Sequence, residues 1–178
     1  MLTDDLILPL FLLEGEGKKS EVDSMPGIFR LSCDLMLQEI ESCLKLGIKA
    51  FDIFPVVDES HKDKYASNSY NRRFFYPEAL DQIKTRFPEA MIVTDVAMDP
   101  YSSDGHDGLV QDGKILNDDT LEILGKMALT QAETGIDMIG PSDMMDGRVG
   151  YLREVLDHNG FQEVGIMSYT AKYASAFY

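Results

Sequence analysis

Four aspartates and one histidine (Asp95, Asp99, Asp104, His106 and Asp107) fall within thirteen residues. Carboxylates in such density suit a hard cation such as Mg²⁺ or Mn²⁺. Their spacing is not that of a calcium-binding EF-hand loop, and a loop of Asx turns punctuated by Gly105 and Gly108 accounts for the same residues. A second polar group follows in Pro141-Ser142-Asp143-Met144-Met145-Asp146-Gly147-Arg148. It lies just ahead of a helix pattern, where free backbone N–H groups bind anions and Arg148 could hold a carboxylate; plain helix capping competes with that reading. Lys172 is the last basic residue and sits among apolar and hydroxyl side chains. Desolvation lowers a lysine's pKa and frees its amine to attack a carbonyl. The competing picture is a surface lysine with a buried stem. Gly15-Glu16-Gly17-Lys18-Lys19-Ser20 fails the spacing of a phosphate-binding loop and reads as a solvated loop. No G-x-G-x-x-G or G-x-S-x-G supports nucleotide binding or serine hydrolysis.

These groups share one feature: each follows a short apolar run. Residues 6–13 (LILPLFLL), 49–57 (KAFDIFPVV), 90–98 (AMIVTDVAM), 136–140 and 163–169 (EVGIMSY) read as strands buried on both faces. Between them lie helical stripes. Leu35, Met36, Ile40, Cys43 and Leu44 form the first, with Ser32 as N-cap and Gly47 as stop. Tyr76-Pro77-Glu78 opens the second, which carries Ala79, Leu80, Ile83 and Phe87 and ends at Pro88. Asn117-Asp118-Asp119 opens the third, which runs through Glu133. Val149, Leu152, Val155 and Leu156 stripe the fourth, which ends near Gly160. The order β-α-β-α-β-α-β-α-β means parallel strands with helical crossovers. An open doubly wound sheet and a (β/α)8 barrel both fit that order, and both gather function at the strands' carboxyl ends.

The chain has 178 residues, 44% of them hydrophobic, and a formal net charge of −15. That length buries a full core without disulfides. The acidity disfavours nucleic acid and anionic membrane as partners. Two cysteines, Cys33 and Cys43, make no disulfide framework and read as reduced thiols. No apolar run approaches membrane-spanning length and no basic signal region opens the chain, so a cytoplasmic location is expected.

The strand ends together resemble the porphobilinogen synthase (5-aminolevulinate dehydratase) family. The resemblance is carried by Ser24-Met25-Pro26-Gly27 with Arg30, by Phe54-Pro55, and by Thr94-Asp95-Val96-Ala97-Met98-Asp99-Pro100-Tyr101 with Gly105-His106-Asp107-Gly108. Pro141-Ser142-Asp143-Met144-Met145-Asp146-Gly147-Arg148-Val149 and Met167-Ser168-Tyr169-Thr170-Ala171-Lys172-Tyr173-Ala174-Ser175 complete it. It spans nearly the whole chain. It implies an α/β fold of the (β/α)8 TIM-barrel family, here residues 1–178 as one incomplete barrel domain of about five parallel strands and four helices. The implied reaction condenses two 5-aminolevulinate molecules into porphobilinogen with loss of two waters. Lys172 matches the first of the family's two Schiff-base lysines. Asp95, Ser142 and Tyr178 are implied as substrate-binding residues, with Asp95 and Ser142 orienting the substrate amine or relaying protons.

Zinc-dependent members carry three cysteines where this chain has Ala97, Asp99 and Asp107, so Zn²⁺ is not expected. Asp99 and Asp107 resemble instead the branch that responds to Mg²⁺ or a monovalent cation. The family's second lysine, its carboxylate-binding arginines and its lid belong to a half of the barrel beyond these residues. Its octamer-forming N-terminal arm is almost absent too, so a homo-octamer is in doubt. The expectations are a porphobilinogen synthase inactive as the isolated 178 residues, or a non-catalytic piece that pairs with full-length subunits. A Schiff-base aldolase on a related barrel is a third expectation.

Overall fold

The structure, a computed structural model, describes residues 1–171 and 173; Lys172 and Tyr178 both lie outside the described residues. Along the chain run β1 (Ile7–Leu13), β2 (Lys19–Val22), β3 (Met25–Ser32), α1 (Cys33–Lys45), β4 (Ala50–Val56), α2 (Phe75–Arg86) and β5 (Met91–Val96). The hairpin strands β6 (Val110–Gln111) and β7 (Lys114–Ile115) follow, then α3 (Asn117–Ala132), β8 (Met138–Pro141), α4 (Arg148–His158) and β9 (Gly165–Ile166).

The main sheet runs β2-β3-β1-β4-β5-β8-β9. Within it, β1, β4, β5, β8 and β9 are parallel and neighbour one another in chain order. A doubly wound sheet reverses its order at a switch point. This sheet does not, and one helix crosses between each consecutive pair, which is the winding of a (β/α) barrel. Right-handed crossovers then put all four helices on one face. On that face Leu10, Leu12, Phe51, Ile53, Ile92 and Ile139 are buried against the helices. α1 buries Met36, Ile40 and Cys43, and α4 buries Leu152 and Leu156, each set at helical spacing. Fully burying such side chains contributes roughly 1.5–3 kcal/mol apiece. Tyr76 of α2 adds a directional pin, its hydroxyl donating to the Ile53 carbonyl at 2.6 Å. Gly47, at φ +89°, ends the α1 turn in a left-handed conformation that costs glycine little.

The sequence-based expectation of a solvated loop over residues 15–20 is corrected. The chain turns at Gly15 and Gly17, and Lys19 begins β2, which pairs antiparallel with β3. Of β2 only Val22 is buried. This is an exposed edge hairpin whose polar residues carry no apolar signal. Ser32 precedes α1 as expected, but its hydroxyl bonds the Asp34 carboxylate at 2.6 Å rather than capping a helix N–H.

The opposite face of the sheet is the barrel interior. β3 pairs with β1 only at Phe11, Leu12 and Leu13. Among the described residues, the first half of β1 is paired with β4 but open on its other edge, and the outer side of β9 has no sheet partner. Ile7, Pro9 and Phe11 point to this interior face, with Ile7 40% exposed.

Candidate active site

The polar groups of the interior face collect where β5 and β8 end. Asp95 is the fifth residue of β5 and sits opposite Gly140 of β8. Alternation sends Thr94 toward the helices and Asp95 inward. The Ser142 hydroxyl, one residue past β8, donates to Asp95 Oδ1 at 2.5 Å. Asp95 is 6% exposed, so this pair works where water competes little. The two residues that sequence reasoning placed together therefore do meet.

Behind them stands a strut that sequence reasoning missed. Gln131 of α3 is fully buried. Its Oε1 accepts from the Thr94 hydroxyl at 2.7 Å, and its Nε2 donates to the Asp95 carbonyl at 2.9 Å. The helix thereby sets the height of Asp95. Burial pushes the phenols of Tyr76 and Tyr101 well above their usual range, so both stay neutral.

A second missed group lies deeper in the interior. Asp52 of β4 is 6% exposed, and its Oδ2 accepts from the Tyr169 hydroxyl at 2.6 Å. Burial raises the Asp52 pKa and the Tyr169 hydrogen bond partly offsets the rise. Asp52, Tyr169, Ile7, Pro9, Phe54, Met167 and Ser168 line a cavity of about 410 Å³. One signal in the sequence was available: Asp52 is the lone acid within the apolar run 50–57. Gln131 gave a fainter one, as a polar residue on the apolar stripe of its helix.

Arg148, expected as a candidate carboxylate holder, is turned inward to the protein instead. Its guanidinium donates to the Met145 carbonyl at 3.3 Å, the Ser168 hydroxyl at 3.3 Å and the Tyr169 carbonyl at 3.1 Å. Its Nε lies 3.5 Å from Asp143 Oδ2. The Asp143 side chain is fully buried, and desolvation raises its pKa to about 6 despite the Met145 N–H and Arg148.

The acidic loop offers a sparse donor set. Ala97 is buried and carries no ligating atom, Asp99 is exposed and Asp107 half-buried. Among the described residues no three His, Cys, Asp or Glu side chains gather to hold a metal ion. A thiolate-bound Zn²⁺ does not fit these residues. The free cysteines, Cys33 and Cys43, both belong to α1.

Sequentially ordered parallel strands, helices on one face and a hydroxyl–carboxylate pair at the strand ends define a barrel-type α/β protein whose candidate site lies at the carboxyl ends of its strands. The sequence profile of the Delta-aminolevulinic acid dehydratase family matches residues 1–178. Delta-aminolevulinic acid dehydratase of Bradyrhizobium diazoefficiens is 51% identical over 178 residues, covering 100% of this chain and 50% of that protein. The chloroplastic enzyme of rice is 47% identical over 176 residues, covering 98% of this chain and 41% of that protein. Among solved structures, delta-aminolevulinic acid dehydratase (porphobilinogen synthase) of Toxoplasma gondii, in complex with the reaction product porphobilinogen, superposes with a TM-score of 0.95. It is 46% identical, and the match covers 100% of this chain and 51% of that one. The chain belongs to the delta-aminolevulinic acid dehydratase family. It spans about half the length of the curated relatives it matches.

Proposed function

We propose that the protein carrying these residues condenses two molecules of 5-aminolevulinate into porphobilinogen with loss of two waters. The observation that carries this reading is the Asp95–Ser142 pair, held at 2.5 Å at the carboxyl ends of β5 and β8. It sits in a chain that superposes with a TM-score of 0.95 on a structure holding porphobilinogen.

Lys172 is assigned the nucleophile. Its neutral amine attacks the ketone carbon of one substrate, and one water leaves as the imine forms. Asp95 and Ser142 accept and return protons or hold the substrate ammonium, and Tyr178 is assigned to substrate binding. Any cation at Asp99 and Asp107 is a hard one, Mg²⁺ or a monovalent ion, and no catalytic step is routed through it. Among the described residues no helix is long and apolar enough to cross a membrane. Two free cysteines suit a reducing compartment such as the cytoplasm. A homo-oligomer is the assembly expected for the full-length protein.

The test is porphobilinogen formation by the full-length protein, with borohydride trapping of 5-aminolevulinate and mass mapping. Adduct at Lys172, lost in Lys172→Met, and activity depressed by Asp95→Asn and Ser142→Ala support the assignment. Product formation undiminished in Lys172→Met overturns it.

A further inference from the structure

A buried carboxylate that stabilises little needs another explanation. Asp52 is such a group. Its Oδ2 is bound by the Tyr169 phenol, while its Oδ1 is buried with no hydrogen-bond partner among the described residues. An unsatisfied charged oxygen inside a protein is a net cost that an apolar residue of similar shape removes.

The fold makes room for this contact. Asp52 lies on β4, and Tyr169 follows β9, three strands across the sheet in the order β4-β5-β8-β9. The phenol spans that distance over Gly140 of β8. A Cβ on Gly140 would stand 3.2 Å from Tyr169 Cε2, closer than ordinary packing. A glycine in the intervening strand is therefore what lets the ring pass this close to the interior wall.

Among the described residues Tyr169 is held at two further points. Its N–H donates to the Pro141 carbonyl at 3.1 Å, and its carbonyl accepts from Arg148 at 3.1 Å. Backbone and side chain are fixed together, three residues before Lys172. Thr170 and Ala171 beyond it are exposed.

We propose that Asp52 is a positioning residue that acts through Tyr169, anchoring the segment that presents Lys172. This rests on the assignment of Lys172 as the Schiff-base lysine. Asp52 acts through its bond to Tyr169, fixing the direction in which the chain leaves β9. Small misplacement of a nucleophile is costly: about 1 Å can lower a rate roughly a hundred-fold.

The experiment uses the full-length protein and three variants, Tyr169→Phe, Asp52→Leu and Asp52→Asn. Two readouts are taken: the rate of borohydride-trapped 5-aminolevulinate adduct at Lys172, and amide hydrogen exchange over residues 167–173. Tyr169→Phe and Asp52→Leu are expected to slow adduct formation by at least about ten-fold, with kcat falling and KM held. Exchange beyond residue 169 should quicken in both, while the thermal midpoint stays level or rises in Asp52→Leu and falls in Tyr169→Phe, which strands the buried carboxylate. Asp52→Asn, whose amide oxygen still accepts the phenol proton, is expected to stay within about three-fold of the parent. Parental adduct rates in Asp52→Leu overturn the proposal. So does an Asp52→Asn loss as deep as that of leucine, since charge rather than the hydrogen bond would then matter. If the parent protein forms no adduct at Lys172, the catalytic assignment falls. Exchange then decides the anchor alone: faster exchange in Tyr169→Phe upholds it, and unchanged exchange overturns it. If Asp52→Leu does not fold, Tyr169→Phe and Asp52→Asn decide by the same readouts.

Discussion

Gln131→Leu asks whether α3 holds Asp95 in place or merely packs behind it. Leucine is close to glutamine in length and leaves little void, so the effect isolates the polar contacts. Two are lost: Thr94 Oγ1 to Gln131 Oε1 at 2.7 Å and Gln131 Nε2 to the Asp95 carbonyl at 2.9 Å. Each bond contributes about 1 kcal/mol net, and the stranded Thr94 hydroxyl costs about 1 kcal/mol or more, because Thr94 is fully buried. The sum is about 3 kcal/mol. For a full-length protein of its relatives' size, about twice these residues, each kcal/mol moves the thermal midpoint about 1–2 °C, so a drop of roughly 3–6 °C is expected beside the denaturant shift. The assay is denaturant unfolding of the full-length protein, run as a cycle with Thr94→Val. Valine removes the stranded hydroxyl, so the double variant should recover part of the Gln131→Leu loss. A Gln131→Leu loss below about 0.5 kcal/mol, or strict additivity in the cycle, refutes the strut.

Three more expectations follow from the interior wall. Asp143 is an acid whose folded-state pKa is raised to about 6 from an ordinary 3.8. Its stabilising neutral form is complete below 3.8 and is lost as pH rises through about 6, a swing of about 3 kcal/mol. Asp143→Asn should flatten the thermal midpoint against pH across that window, and parallel profiles would sink the reading. Gly140→Ala pushes a methyl to 3.2 Å from the Tyr169 ring and 3.5 Å from the Thr94 carbonyl. A loss of about 1–3 kcal/mol with a changed near-UV tyrosine signal is expected; an unaltered spectrum at parental stability contradicts the close packing. The 178-residue polypeptide by itself should self-associate, because the edge of β1 away from β4, over its first half, and the outer side of β9 lack sheet partners among the described residues, and Ile7 lies open on the interior face. A monodisperse, cooperatively melting monomer in light scattering would count against this.

Apolar periodicity made most of the scaffold legible. The stripe expected over 117–133 is α3, Asn117–Ala132, and the run 6–13 is β1 within one residue. The strand read over 163–169 is a ladder only at Gly165–Ile166, yet Met167 and Tyr169 still donate to β8 and Pro141 carbonyls at 2.9 and 3.1 Å. The β2–β3 hairpin escaped notice because Lys19, Ser20 and Glu21 are all exposed and leave no alternating apolar trace. Asp95 and Ser142 were identified from their place at strand ends and from the resemblance, and the structure brings them into contact. Asp52 and Tyr169 were not, because they stand 117 residues apart. Such a pairing follows from strand order and pleat, which a linear pattern does not carry.

Strand order also explains why three buried acids occur on one wall of so acidic a chain. Each meets a partner supplied beyond the end of β8: Asp95 meets Ser142, Asp143 meets Arg148, and Asp52 meets Tyr169. Arg148 in turn donates to the Tyr169 carbonyl, so two of these links converge on one residue. Hydrophobic contact between sheet and helices tolerates small slides of one strand past another, because it is non-directional. A hydroxyl–carboxylate bond at 2.5 or 2.6 Å does not. The apolar outer face therefore supplies most of the stability, and the polar inner face fixes where each strand end stops. Buried ionic groups are poor sources of stability in general, and a role in setting a unique arrangement is their best-attested use. On that argument Asp52→Leu combined with Tyr169→Phe should leave the outer core untouched while the exit from β9 loses its direction, separating stability from the geometry of the site.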